Sequence, residues 1–107
     1  MNIKVSNVAT SQLVKITSYY ASHFGLQAAN NLADSFERKM EFLAKFPEAG
    51  HPEPLAKNMI PFYRSIQIAK HINVIYFVDY LDDSVSVSDI WDTRMNPETL
   101  KARLSEV

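Results

Sequence analysis

Between Phe62 and Asp92 the chain reads "FYRSIQIA", "INVIYFVDYL" and "SVSVSDIWD", three stretches dense in β-branched and aromatic residues. Only Lys70 and His71 separate the first two, and "LDDS" makes the second turn, where Asp82 and Asp83 tolerate the backbone geometry of a tight bend. Links this short cannot carry a crossover, so the three strands must run antiparallel as a meander. Such a sheet has at least one apolar face to cover, and the cover must come from the residues before it.

Those residues supply two amphipathic helices. Leu13, Ile16, Tyr20 and Phe24 recur at spacings of three and four, with Thr10 or Ser11 placed to cap the first helix and Gly25 to close it. A second helix is predicted from about Leu26 to Phe46, with Ala29, Leu32, Phe36, Met40 and Leu43 on its buried side and Pro47 as its stop. The link at Gly25 is so short that the pair forms an antiparallel hairpin. Upstream, Ile3, Val5 and Val8 alternate with polar residues, predicting a first strand that joins the sheet at an edge or beside the last strand. "PEAGHPEPLAKNMIP", with four of the five prolines, reads as a rigid loop. Asn96, Pro97 and Glu98 are a cap, a first-turn proline and a carboxylate at the positive end of a short C-terminal helix, whose ridge is Leu100 and Leu104. The fold class is therefore α+β, in the order β-α-α-β-β-β plus a short helix, within one domain over residues 1–107.

At 107 residues and 47% hydrophobic content the chain can bury a modest core. It has no cysteine, and His23, His51 and His71 lack the spacing of ligands on one element, so no disulfide, metal or cofactor is expected. No apolar run approaches the roughly 20 residues of a membrane span, and the N-terminus has no signal-peptide core, which leads us to expect a cytoplasmic protein. A net charge of −1 gives none of the basic surplus that phosphate binding rewards.

The polar candidates gather near the strand ends. Arg64 opens the meander and can pair with Asp79, Asp89 or Asp92 across the sheet. Trp91, Asp92, Arg94 and Met95 lie at its exit, a position where rigid scaffolds tend to present function. Trp91 can instead be a core residue. Glu53, between two prolines, reads as a solvated loop charge, and His71 as a turn residue.

With those residues in place, the chain resembles the RelE/ParE superfamily of type II toxin–antitoxin toxins. The likeness is carried by the "QLVKITSYYASHFGLQAANNLADSFERKMEFLAKFPEAG" hairpin and, more specifically, by Arg64–Ser65 opening the meander, the "VIYFV" strand and the arginine at its exit. The resemblance implies a small toxin neutralised by a co-expressed antitoxin that wraps the sheet and hairpin, in a hetero-oligomer that meets operator DNA only through the antitoxin.

The superfamily has two mechanistic branches. Its ribosome-dependent mRNA endoribonucleases need an acid, a base and cations around the scissile phosphate. Under that reading Glu53, Arg64, His71 and Arg94 are the catalytic candidates, with the ribosome and mRNA as partners. YoeB-like enzymes, however, place an arginine where "INVIY" has Asn73 and end in a His-Tyr pair, whereas this chain has neither residue type after Tyr80. The ParE-like branch, which inhibits DNA gyrase by binding it, shares the run formed here by Gly50, Leu55, Arg64, Ser65, Lys70 and "VIYF". Its partner surface would comprise Arg64, Trp91, Asp92, Arg94 and Met95, without catalytic residues. The ParE-like reading fits better; a member that only binds antitoxin is the third.

Overall fold

The computed structural model describes residues 1–105, and its element order is the one predicted, with two small additions. Strand β1 (Asn2–Val5) leads into helices α1 (Asn7–Phe24) and α2 (Leu26–Lys45). A two-residue strand β2 (His51–Pro52) and a 3₁₀ turn (Pro54–Ala56) then interrupt the proline-rich loop. Strands β3 (Arg64–Ala69), β4 (Ile72–Asp79) and β5 (Ser84–Asp92) form the meander, and α3 (Pro97–Ser105) follows. The sheet order is β1-β5-β4-β3-β2. β1 lies at one edge and runs parallel to β5, from Asn2 opposite Ser84 to Val5 opposite Val87.

The hairpin is hinged where only glycine is comfortable. Gly25 takes φ 93°, ends α1 and starts α2 without a side-chain cap. α2 buries the five residues its periodicity predicts. The start of α1 differs from expectation. Ser6, not Thr10 or Ser11, is the cap: its Oγ accepts from Ala9 N at 3.0 Å and donates to Ser88 O at 3.1 Å. That second bond ties the cap to β5, so helix formation begins earlier and Val8 joins α1 instead of β1. The apolar stripe of α1 is also less buried than predicted. Leu13, Ile16 and Tyr20 pack partly buried against the core, while Phe24, past the sheet, stays 64% exposed.

The hairpin covers one face of the sheet. Leu32, Phe36, Met40 and Leu43 meet Ile72, Val74, Tyr76, Val85, Val87 and Ile90 there. The opposite face carries a second core: Tyr63, Ile75 and Trp91 under Ala56, Leu100 and Leu104. A β-bulge divides β5 between the two. Ile75 faces Asp89 but Tyr76 faces Val87, leaving Ser88 unpaired. The extra residue shifts the alternation, so Val85 and Val87 share the hairpin face with Ile90, while Trp91 packs on the other side.

α3 is held over that second face by a buried ion pair. Arg103 Nε and Nη2 donate to the two oxygens of Asp89 at 2.7 and 2.9 Å. Asp89 is fully buried, and the Arg103 guanidinium also lies over the Trp91 ring, 5.4 Å from its centroid. Burial raises the Asp89 carboxyl above its ordinary value, with Arg103 opposing the rise.

Candidate functional site

At the exit of β5, the backbone turns within three residues. Thr93 N donates to His71 O at 2.7 Å, and Met95 N to Asp92 O at 3.0 Å. Asp92 organises this turn by accepting from Arg94 N at 2.9 Å on Oδ1. The same carboxylate holds the Arg94 side chain bidentately, Nε at 3.0 Å on Oδ1 and Nη2 at 2.8 Å on Oδ2. These bonds from Arg94 hold the Asp92 carboxyl below its usual range. Arg94 itself remains 61% exposed along its side chain. Beyond the turn, Asn96 Oδ1 accepts from Glu98 N at 3.0 Å and α3 starts at Pro97, as its sequence predicts.

This turn forms one wall of a groove whose other wall is α1. Lys15, Ile16, Tyr19 and Tyr20 face Ile72, Asp92, Arg94 and Met95 across a cleft of about 420 Å³. A notch of about 160 Å³ continues it, adding Phe24 and the turn residues Lys70 and His71. The turn conformation depends on His71, which adopts φ 66°. Aromatic packing orders the end of α1. Tyr19 stacks on His23 with centroids 3.9 Å apart, and Tyr20 meets Phe24 edge-on at 5.5 Å. Ile16, Tyr20 and Ile72 give the groove an apolar floor, and its rim is cationic.

Arg64 is far from this groove. It sits at the opposite end of β3, paired with Tyr76, whereas Asp92 pairs with Ile72 at the other end of β4. Among the described residues no carboxylate pairs with it, contrary to the cross-sheet pairing considered for Asp79, Asp89 or Asp92: Asp89 is taken by Arg103 and Asp92 by Arg94. Arg64 Nη1 instead donates to Gly50 O at 2.8 Å and to Glu48 O at 3.3 Å, which fastens the loop after α2 to the sheet. Tyr76 completes this staple, its hydroxyl accepting from Gly50 N at 2.8 Å and donating to Pro47 O at 2.8 Å. Gly50 is required here. A Cβ would stand 2.5 Å from the Tyr76 hydroxyl and 2.8 Å from Ser65 O. Beside it, His51 Nε2 and Ser65 Oγ lie 3.0 Å apart across the β2–β3 pair.

Glu53 is not the solvated charge its sequence setting suggests. It is 5% exposed, and its Oε2 accepts from Leu55 N at 3.3 Å to cap the 3₁₀ turn. Trp91 is likewise 2% exposed, packed into the second core. It is the buried support of the exit rather than a contact offered at its surface. The nuclease candidates therefore divide. Glu53 and Arg64 belong to the start of β3, and His71 and Arg94 to the far side of Ala69. The five residue steps of β3 separate the two groups by roughly 16 Å of strand. Of the candidate partner residues, Asp92, Arg94 and Met95 meet in one groove, with His71 beside them.

Sequence reading missed the α1 side of the groove. Tyr20 packs partly buried against the core as its spacing predicts, but Phe24 does not and stays exposed beside Lys70 and His71. The available signal was the density of aromatic rings in "YYASHF", where Tyr19 and His23, and Tyr20 and Phe24, are each one turn apart. Among the described residues, no group of three or more histidines and carboxylates is arranged to hold a metal, and no helix is long and apolar enough to cross a membrane.

Comparison with known proteins accounts for this architecture. The family model described as "ParE toxin of type II toxin-antitoxin system, parDE" matches residues 3–97. The chain belongs to that family: it is a ParE-like toxin within the RelE/ParE superfamily. Among solved structures it is similar to one titled "Chromosomal ParDE TA system from P. aeruginosa". That match has 16% identity and a TM-score of 0.68, and covers 86% of this chain and 95% of the other. At that identity the likeness concerns the fold. None of the curated proteins matches the chain significantly.

Proposed function

We propose that this toxin acts by binding DNA gyrase, without catalysis of its own, and that a cognate antitoxin neutralises it by covering the same surface. The observation that carries this reading is the state of Asp92. A ribonuclease needs a proton donor or acceptor poised near neutrality at the strand exit. Here the exit carboxylate, Asp92, is bound bidentately by an arginine that favours its charged form. Glu53 and Arg64, the other half of a catalytic set, lie at the opposite end of β3, where they cap a turn and staple a loop.

The groove instead has what a protein contact needs: a partly apolar floor, exposed aromatic rings and an arginine on a rigid edge. The antitoxin partner is supported by the family and by the toxin–antitoxin title of the similar structure. In this reading, operator DNA is reached through the antitoxin, within a cytoplasmic hetero-oligomer. The test is to induce the toxin without antitoxin, then assay gyrase supercoiling in parallel with mRNA cleavage on translating ribosomes. Inhibited supercoiling with intact mRNA is expected. Codon-positioned cleavage with unaffected gyrase would reject the reading, and silence in both assays would leave a chain that only binds antitoxin.

A further inference from the structure

We propose that the groove between α1 and the β5 exit is a latent platform for single-stranded nucleic acid, kept closed by Asp92, which thereby determines that the site accepts protein. The inference rests on the protein-binding reading above and adds the residue that sets the class of partner.

Apart from that one carboxylate, the groove has the chemistry of a single-strand site. Tyr19 is 50% exposed and stacked with His23, and Phe24 projects beside it, so flat π-surfaces are available to bases. Lys15, Lys70 and Arg94 line the same continuous cleft, with His71 between the last two. Among the described residues, neither Lys15 nor Lys70 makes an ion pair. Exposed rings flanked by unpaired cations are how non-specific single-strand binders hold a backbone and its bases.

Asp92 cancels that arrangement in two ways. Its carboxylate occupies the Nε and Nη2 donors of Arg94, the parallel fork that would otherwise grip a phosphate bidentately. It also places a negative charge on the groove wall beside Arg94, where an approaching phosphate is repelled. An acidic side chain of a protein partner meets the same obstacle, but a protein can satisfy the groove with apolar contacts to Ile16, Tyr20 and Met95, which a phosphate backbone cannot make. One residue thus separates two partner classes.

The experiment uses the whole toxin and three variants, Asp92→Asn, Arg94→Gln and the double variant. Asparagine keeps the Oδ1 acceptor that Arg94 N uses, so the turn is retained. Binding of a fluorescein-labelled single-stranded RNA of about 12 nucleotides, and of the matching DNA, is followed by anisotropy between about 50 and 200 mM salt. We expect Asp92→Asn to bind about tenfold tighter than wild type, with a log–log salt slope steeper by about 0.7, one added phosphate contact. The double variant should return to the wild-type level. If Asp92→Asn binds no tighter while its melting temperature is unchanged, the inference is overturned. A gain that persists in the double variant overturns the assignment to Arg94. Supercoiling assays on the same proteins keep the two readings distinct: a wild type that leaves gyrase untouched rejects the target, whereas the oligonucleotide result alone decides the role of Asp92.

Discussion

Arg64 and Arg94 stand at opposite ends of the same sheet and are held in opposite ways. Arg64 reaches 14 and 16 residues back along the chain to two backbone carbonyls, joining the loop after α2 to β3. Arg94, in the turn after β5, reaches two residues back to the carboxylate of that strand's last residue. A bond that closes a long loop contributes to folding, because breaking it frees the loop. A bond between near neighbours at an exposed turn holds a side chain in place without holding the fold. The first arginine is built into the fold, whereas the second is held only by its neighbour at an exposed turn, where we propose that a partner meets it.

Four measurements test that contrast. The largest effect is expected at Gly50, where Gly50→Ala forces a methyl group against a backbone oxygen and the Tyr76 hydroxyl. A loss of about 3 kcal/mol in chemical denaturation is expected. A near-neutral result would mean the loop is not stapled. Next comes Arg64→Ala, which leaves the Gly50 and Glu48 carbonyls without their donor. It should cost about 1.5 kcal/mol, with little change in binding at the exit groove.

Smaller effects are expected from the two aspartates of β5, which titrate in opposite directions. Carboxyl NMR titration should place Asp89 above, and Asp92 below, the ordinary aspartate value. The signs for stability follow. The contribution of Asp89 is fully present below its unfolded pKa and is lost as pH rises through its higher folded value. That of Asp92 is present above its unfolded pKa and is lost as pH falls through its lower folded value. Finding both on the same side would remove the distinction between the buried pair and the exposed one. The smallest effect on stability should come from Arg94→Ala. Its melting temperature should match wild type, while gyrase inhibition falls at least about tenfold. Unfolding without functional loss would reverse the roles of the two arginines.

Much of this was legible in the residues. Periodicity placed all five buried residues of α2, the turn at Gly25, the meander and the cap of α3. The start of α1 was not, because Ser6 is selected by a hydrogen bond to Ser88, more than eighty positions away. The faces of β5 were only half legible. "SVSVSDIWD" breaks its alternation at Ser88–Asp89 and again at Ile90–Trp91, but only the pairing partner shows that Ser88 is the bulged residue and that Asp89 lies opposite Ile75. For the groove, Asp92, Arg94 and Met95 come together because they lie within one four-residue stretch at the strand exit. Of their neighbours on α1, Ile16 and Tyr20 pack against the core as their spacing predicts, whereas Phe24 does not, since spacing shows which residues share a face but not which of them find a covering partner.

The place of β5 has a consequence for how the molecule comes into being. β1 precedes the hairpin, yet among the described residues its strand neighbour is β5, the last strand of the meander. A growing chain can assemble its helix hairpin early from local contacts, but the opening strand must wait, unpaired, until residues near 84–87 leave the ribosome. Sheet closure therefore follows hairpin formation, and the β5 exit that forms the groove takes its final shape only after the whole meander has been made.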